Sequence, residues 1–187
     1  MSVGKANLEN YVPTLKFICS KYHDSWLTLS ALFEEEGKFE DAIKAMQSFL
    51  ELQVEDLKAA LAWQQLAKLY RQRNDWQADI QATVEFCLVP NIAFSDLSNS
   101  ANWLNRLFNE HKSAVDNLEK RLSVEKVASV FETRIKTESL VSGDDYSRLA
   151  WLFRHLNDHV KAKKIVAEGL KVDPQNIYCL KLMYQLL

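Results

Sequence analysis

One pattern of apolar and small residues recurs along the chain. It consists of a large or apolar anchor, a leucine three residues later, a small or polar residue directly after the leucine, and an aromatic residue three positions further on. The pattern occurs four times, with its anchor at Trp26, Trp63, Ala101 and Tyr146. Because steps of three and four residues fall on one face of an α-helix, each occurrence predicts an amphipathic helix.

A second amphipathic run follows each of these helices after a short polar break. The leucines of the four patterns, Leu29, Leu66, Leu104 and Leu149, are 37, 38 and 45 residues apart. One helical hairpin cannot bury its apolar stripe alone, so a repeat of this length predicts hairpins that stack on one another. We therefore expect an all-α fold of about four hairpins, with ten or eleven helices and no strands.

The four units resemble tetratricopeptide (TPR) repeats, which follow the pattern W-x2-L-G-x2-Y, then A-x3-F, then P over about 34 residues. The last unit carries six residues in register: Leu149, Ala150, Phe153, Ala162, Val166 and Pro174. Two units depart from the pattern, since Asp79 stands where alanine is expected and Asn105 replaces the small residue. The resemblance covers roughly residues 23–180 and implies an α-solenoid. It also resembles the C-terminal TPR regions of larger bacterial multidomain proteins.

The chain divides into one predicted domain, residues 1–187. We expect an N-terminal helix at about 7–22, a C-terminal capping helix at about 177–187, and between them the repeats 23–58, 60–93, 97–140 and 144–176. Apolar residues surround the whole capping helix, whereas a repeat array normally ends in a polar face. This helix is therefore predicted to contact another copy of the chain or a further part of a longer protein.

Composition and charge exclude several classes of protein. The chain has 48% apolar and 26% charged residues, as soluble globular proteins do, and its net charge of −2 argues against a nucleic-acid partner. Its three cysteines form no C-x-x-C motif, which fits reduced thiols in the cytoplasm. No segment is apolar enough for a signal peptide or a membrane span. We expect a cytoplasmic protein with no membrane contact.

Signals of enzyme chemistry are weak. Phosphate-binding glycine loops and the zinc and serine-hydrolase motifs are absent. His155 and His159 have metal-binding spacing only on one continuous helix, and a turn is predicted between them. Arg106 and His111 have the spacing of the helical HEPN-type ribonucleases, but surface side chains on a helix explain them equally well. We expect no catalytic residues, no metal and no cofactor.

The resemblance to TPR arrays implies a concave groove, lined by the first helix of each hairpin, that binds a partner. Carried over by helical phase, the groove would present seven candidate contacts: Lys68, Arg71, Gln72, Arg148, Trp151, Arg154 and His155. Basic residues near an aromatic ring suit an acidic peptide or helix of another protein. The predicted function is a non-catalytic interaction scaffold. The alternatives are self-association or a regulatory tail of a larger protein, and, less favoured, a HEPN-like ribonuclease.

Overall fold

The computed structural model of the chain describes residues 12–52, 54–111 and 117–186. These residues form ten α-helices and, within these ranges, no strand, which confirms the all-α prediction. In chain order the helices are α1 (Val12–Lys21), α2 (Ser25–Glu35), α3 (Phe39–Leu50), α4 (Asp56–Gln72), α5 (Trp76–Leu88), α6 (Phe94–Glu110), α7 (Asn117–Thr137), α8 (Gly143–His155), α9 (His159–Val172) and α10 (Ile177–Gln185). The predicted start of the first helix, residues 7–11, lies outside the described residues.

Three helix pairs, α2–α3, α4–α5 and α8–α9, pack closely and are closed by the same turn. The turn residues Gly37, Asn74 and Asn157 have φ angles of 73°, 57° and 60°. This left-handed conformation suits glycine and asparagine better than other residues. In each pair, the next backbone N–H donates a hydrogen bond of 2.8–3.0 Å to the carbonyl of the aromatic residue of the repeat pattern, namely Phe33, Tyr70 or Phe153. This is the Schellman closure of a helix C-terminus, and it makes the three hairpins equivalent.

The third pair, α6 and α7, is more open than the other three. The long helix α7 contacts α8 and α5 more extensively than it contacts α6. Its predicted stripe of Val124, Val127, Phe131 and Ile135 is buried at 0–7% exposure. The irregular third unit is thus integrated into the core through its neighbours rather than through its own hairpin.

The helix starts are fixed by side-chain caps, two of which differ from simple sequence expectation. Asp75 caps α5 as predicted, by accepting a hydrogen bond from the backbone N–H of Ala78 at 3.2 Å. For α8, however, Asp144 or Asp145 was the predicted cap, and the cap is Ser142. Asp145 is instead the third helical residue and completes a reciprocal capping box with Ser142.

Small residues in the repeat pattern allow the paired helices to approach closely. Ser30, Ala67 and Ala150 are all buried. The Ser30 hydroxyl donates a 2.9 Å hydrogen bond to the carbonyl of Ala42, which lies on the other helix of the pair. A larger side chain at this position would separate the two helices.

The packing as a whole has TPR-like architecture: ten helices packed pairwise around a buried core that runs along the array. Trp63 contacts both of the apolar clusters into which that core divides. Among the described helices, none combines the length and the apolar character needed to cross a membrane. The assignment of residues 1–187 to one repeat domain stays a prediction.

Candidate partner-binding groove

Side chains link the first helices of successive pairs, α2 to α4, α4 to α6 and α6 to α8. We call the surface that these four helices share the groove face. At its N-terminal end, Glu34 on α2 forms an ion pair of 2.7 Å with Lys68 on α4. The same carboxylate accepts hydrogen bonds from Gln72, at 3.1 Å, and from Gln65. One acidic side chain therefore holds three residues of the next repeat.

These contacts occupy two of the predicted partner-binding residues, Lys68 and Gln72. The hydrogen bond from Lys68 lowers the pKa of Glu34 more than any other interaction, so the carboxylate is held in its charged form. A partner could use Lys68 only in competition with Glu34.

Arg71, a third predicted contact, is bound to the buried carboxylate of Asp79. Its Nε and Nη2 atoms each lie 3.1 Å from an oxygen of Asp79, which is fully buried. The carboxylate also accepts hydrogen bonds from Thr83, at 3.1 Å, and from the indole N–H of Trp103, at 3.0 Å. The guanidinium of Arg71 lies 4.0 Å from the centre of the Trp103 ring. Asp79 thus connects α4, α5 and α6 through one network.

The network explains why aspartate occupies a position at which TPR repeats have alanine. A buried carboxylate is tolerated only when donors surround it, and four hydrogen bonds do so here. The departure of Asp79 from the repeat pattern is the sequence signal that could have indicated this network. The role of Trp103 had no such signal, because the ring lies on a different repeat.

Arg148, the fourth predicted contact, mainly joins α8 to α6. Its Nη1 lies 2.8 Å from the Ser98 hydroxyl and 3.6 Å from the carboxylate of Asp145. Ser98 in turn donates a short hydrogen bond to Asp145. The amide nitrogen of Asn105 donates to the backbone carbonyl of Arg148 at 2.9 Å. Most of the bonding capacity of Arg148 is therefore used within the protein.

The remaining predicted contacts, Trp151, Arg154 and His155, form a surface at the C-terminal end of the groove face. The Arg154 guanidinium lies 4.4 Å from the centre of the Trp151 ring, a cation–π contact. The His155 ring packs edge-on against Phe108 at 5.4 Å and lies 6.0 Å from Trp151. A cavity of about 440 Å³ opens over these residues and extends to Asn109, Asn157 and Gln185.

Arg154 differs from the other predicted cations in the partner it has. It donates a 2.7 Å hydrogen bond to the side-chain oxygen of Gln185, a neutral group. Within the described ranges no aspartate or glutamate forms an ion pair with it, whereas Lys68, Arg71 and Arg148 each have an acidic partner. The positive charge of the groove face is therefore least compensated around Trp151.

The contacts of Arg106 and His111 do not indicate a shared catalytic site. Arg106 lies over the Trp103 ring at 5.3 Å and pairs with Glu110 at 3.6 Å. His111 instead stacks on Trp76, with ring centres 4.1 Å apart and an angle of 11° between the planes. The two side chains are thus held by different aromatic partners.

The predicted turn between His155 and His159 is present. His155 is the last residue of α8 and His159 the first residue of α9, so the two do not share a helix face. In the parts of the chain that the structure describes, no group of three histidine, cysteine or acidic side chains is arranged to hold a metal ion.

The fold and the groove face together define a TPR-like helical-repeat protein. No family model matches the sequence, and no curated protein matches it either. Among solved structures, the chain is similar to the crystal structure of MamA protein, with 15% identity and a TM-score of 0.46 over 86% of this chain and 78% of that chain. No functional residue is carried over from that structure.

Proposed function

We propose that the protein is a non-catalytic scaffold that binds an acidic segment of a partner protein at Trp151, Arg154 and His155. The observation that carries the proposal is the pairing of charges on the groove face. Lys68, Arg71 and Arg148 are satisfied by acidic side chains of the protein itself, and Arg154 has only the neutral Gln185. An acidic ligand therefore gains most at Arg154.

The aromatic ring beside Arg154 strengthens this site for an extended ligand. Trp151 is half-buried, so its ring is held by the core while one part of it faces the cavity. A cation that lies against a ring is partly oriented before a ligand arrives, and less side-chain entropy is lost on binding. The apolar ring would then contact the hydrophobic side chains that flank an acidic residue.

Peptide display and a pair of charge variants test this proposal. Random 12-residue peptides displayed on phage would be selected on the whole chain, and an enriched peptide labelled for fluorescence anisotropy. We expect acidic peptides to be enriched and Arg154→Ala to weaken binding about tenfold, the effect of losing one charge-assisted hydrogen bond. Lys164→Ala, which removes an exposed charge on α9, is the control. Equal affinities of the two variants would remove Arg154 from the site.

Self-association through α10 is the second candidate function. Ile177, Tyr178 and Tyr184 are 69%, 54% and 80% exposed on this last helix, an apolar surface of the kind that often contacts another chain. Replacing Ile177 and Tyr184 by glutamate should lower the mass measured by light scattering if α10 joins two copies. A monomeric mass of the unaltered chain at all concentrations would argue against this candidate and would favour a role as a regulatory tail.

Two further proposals follow from the sequence. The three cysteines are buried and unpaired, which is consistent with the proposed location in the cytoplasm. Ribonuclease activity remains the least favoured alternative, and an RNA-cleavage assay with Arg106→Ala and His111→Ala as controls tests it.

A further inference from the structure

A second cavity, of about 230 Å³, lies between α6 and α8, next to the surface at Trp151. Asn105 lines this cavity and is only 6% exposed. Its side-chain oxygen has no hydrogen-bond partner among residues 12–52, 54–111 and 117–186. Its nitrogen donates to the backbone carbonyl of Arg148 at 2.9 Å. That bond fixes the orientation of the amide, because the reverse orientation would place two oxygens against each other.

An acceptor that is buried without a donor is uncommon and costly in a folded protein. Asn105 also stands where the repeat pattern has a small residue, as Ala67 and Ala150 do in other units. The chain thus carries a larger, polar side chain here and leaves half of its bonding capacity unused. A ligand that donates a hydrogen bond to this oxygen would remove the cost.

The lining of the cavity restricts the chemistry of that ligand. Arg106 and Arg148 bring two positive charges against the one negative charge of Asp144, so a cationic donor such as lysine is disfavoured. A carboxylate has no proton to donate to Asn105 and cannot use its oxygen. The ligand group that fits is neutral and able to donate.

The other polar groups of the lining favour an amide over a hydroxyl. Asn102 and Asn109 on α6 and Ser147 on α8 add both donors and acceptors around the cavity, and Trp151 and Tyr178 add aromatic surface. A primary amide has two N–H donors and one carbonyl acceptor on a single flat group. It can therefore bond to Asn105 and to a second acceptor while its carbonyl receives a bond from the lining.

We propose that this cavity binds a side-chain carboxamide, that of an asparagine or glutamine in the partner segment. This inference rests on the proposed function, because it assumes that a protein segment occupies the groove face. Asn109 and Trp151 line both this cavity and the one at Arg154, so the two sites adjoin. The recognised segment accordingly carries a carboxamide residue close to an acidic residue.

Small probes test the cavity without any knowledge of the partner. Propionamide is added to the isotopically labelled chain, and the shifts of the Trp151 indole N–H and of the asparagine side-chain amides are followed by NMR. Butanone, which has the same shape but no N–H, tests the need for a donor. Propionate and propylammonium test the charge, and N-methylpropionamide stands for a main-chain peptide group. We expect saturable shifts with propionamide and at least threefold weaker binding of each other probe.

Variants show whether Asn105 is responsible for the preference. Asn105→Ala installs the residue found at this position in two other units, and it should abolish the preference for propionamide over butanone. Gln81→Ala, which removes an exposed amide on α5, should leave the preference unchanged.

Three results would overturn the proposal. Equal binding of butanone would show that no donor is read, and equal binding of N-methylpropionamide would assign the cavity to the main chain of a partner. An absence of shifts with every probe would mean that the cavity holds only solvent. None of these results depends on Arg154, so the proposed acidic-segment site is tested separately by the anisotropy experiment.

Discussion

The substitution Asp79→Ala separates two opposite expectations about the same residue. The TPR pattern has alanine at this position, so the pattern alone predicts a neutral or stabilising change. The structure predicts a loss, because the carboxylate of Asp79 accepts two bonds from Arg71 and one each from Thr83 and Trp103. Alanine would leave all of these donors without their acceptor.

The size of the loss follows from how well each donor can find another partner. Breaking a buried charge pair by removing one member costs roughly 3–5 kcal/mol. The Arg71 side chain is 41% exposed, however, and can regain water, which reduces the loss. The Thr83 hydroxyl can turn to the helix carbonyl four residues earlier. We therefore expect a decrease of about 2–3 kcal/mol in the free energy of unfolding, or roughly 5–10 °C in Tm.

Urea denaturation followed by far-UV circular dichroism and by tryptophan fluorescence measures this change. The two signals must coincide, since repeat arrays can unfold in more than one step. Glu85→Ala removes one acid from the same helix and serves as the control, with an expected change below about 1 kcal/mol. In a double-mutant cycle with Arg71→Met, the two losses should not add. If Asp79→Ala is as stable as the unaltered protein, the argument from the network is wrong.

Three further predictions concern a charge, a close contact and a thiol. Glu34→Gln should lower the free energy of unfolding near neutral pH by less than about 1 kcal/mol, because the ion pair with Lys68 is partly exposed. Since the pKa of Glu34 is below its ordinary 4.5, this difference should be complete above that pH and disappear as the pH falls below it. Gly169→Ala should cost about 1–3 kcal/mol, since an added Cβ would lie 2.7 Å from the Cβ of Tyr146. Burial raises the pKa of Cys87 to about 12, so this thiol should react with a thiol reagent at pH 8 only when the protein unfolds.

Controls for these predictions lie elsewhere in the chain. Glu35→Gln removes the adjacent charge, and an equal pH dependence would contradict the role given to Glu34. In Gly37→Ala nothing lies within 4 Å of the added Cβ, so only the cost of the left-handed φ of 73°, roughly 1 kcal/mol, is expected. A loss as large as that of Gly169→Ala would contradict the packing argument. Rapid labelling of Cys87 in the native protein would contradict its burial.

Most of the architecture could be predicted because it depends on local periodicity. The leucine and aromatic positions of each unit lie within one helix, and the turns at Gly37, Asn74 and Asn157 need only the residue that tolerates a left-handed backbone. The opening of the third pair could not be predicted in the same way. It depends on the burial of α7 against α5 and α8, helices that are distant in sequence and whose packing no local pattern records.

The candidate site could be predicted much less well, for a related physical reason. The helical phase correctly indicated residues on the groove face, but the charge available to a partner depends on which acids lie opposite. Glu34 is 34 residues from Lys68, and Ser98 is 50 residues from Arg148, so these pairings arise only when the repeats stack. Arg71 could be predicted as basic and exposed, yet the fully buried Asp79 holds it.

The departures from the repeat pattern are more informative than its matches. A residue that fits the pattern, such as Ala150, is explained by packing alone and would be found in any array of this kind. Asp79 and Asn105 introduce polar side chains where packing favours small apolar ones, and each requires a compensating partner. For Asp79 the protein supplies that partner, and the result is a link between repeats. For Asn105 half of the requirement is unmet by the described residues, and this is the physical reason to expect a ligand between α6 and α8 rather than at the well-paired end of the groove face.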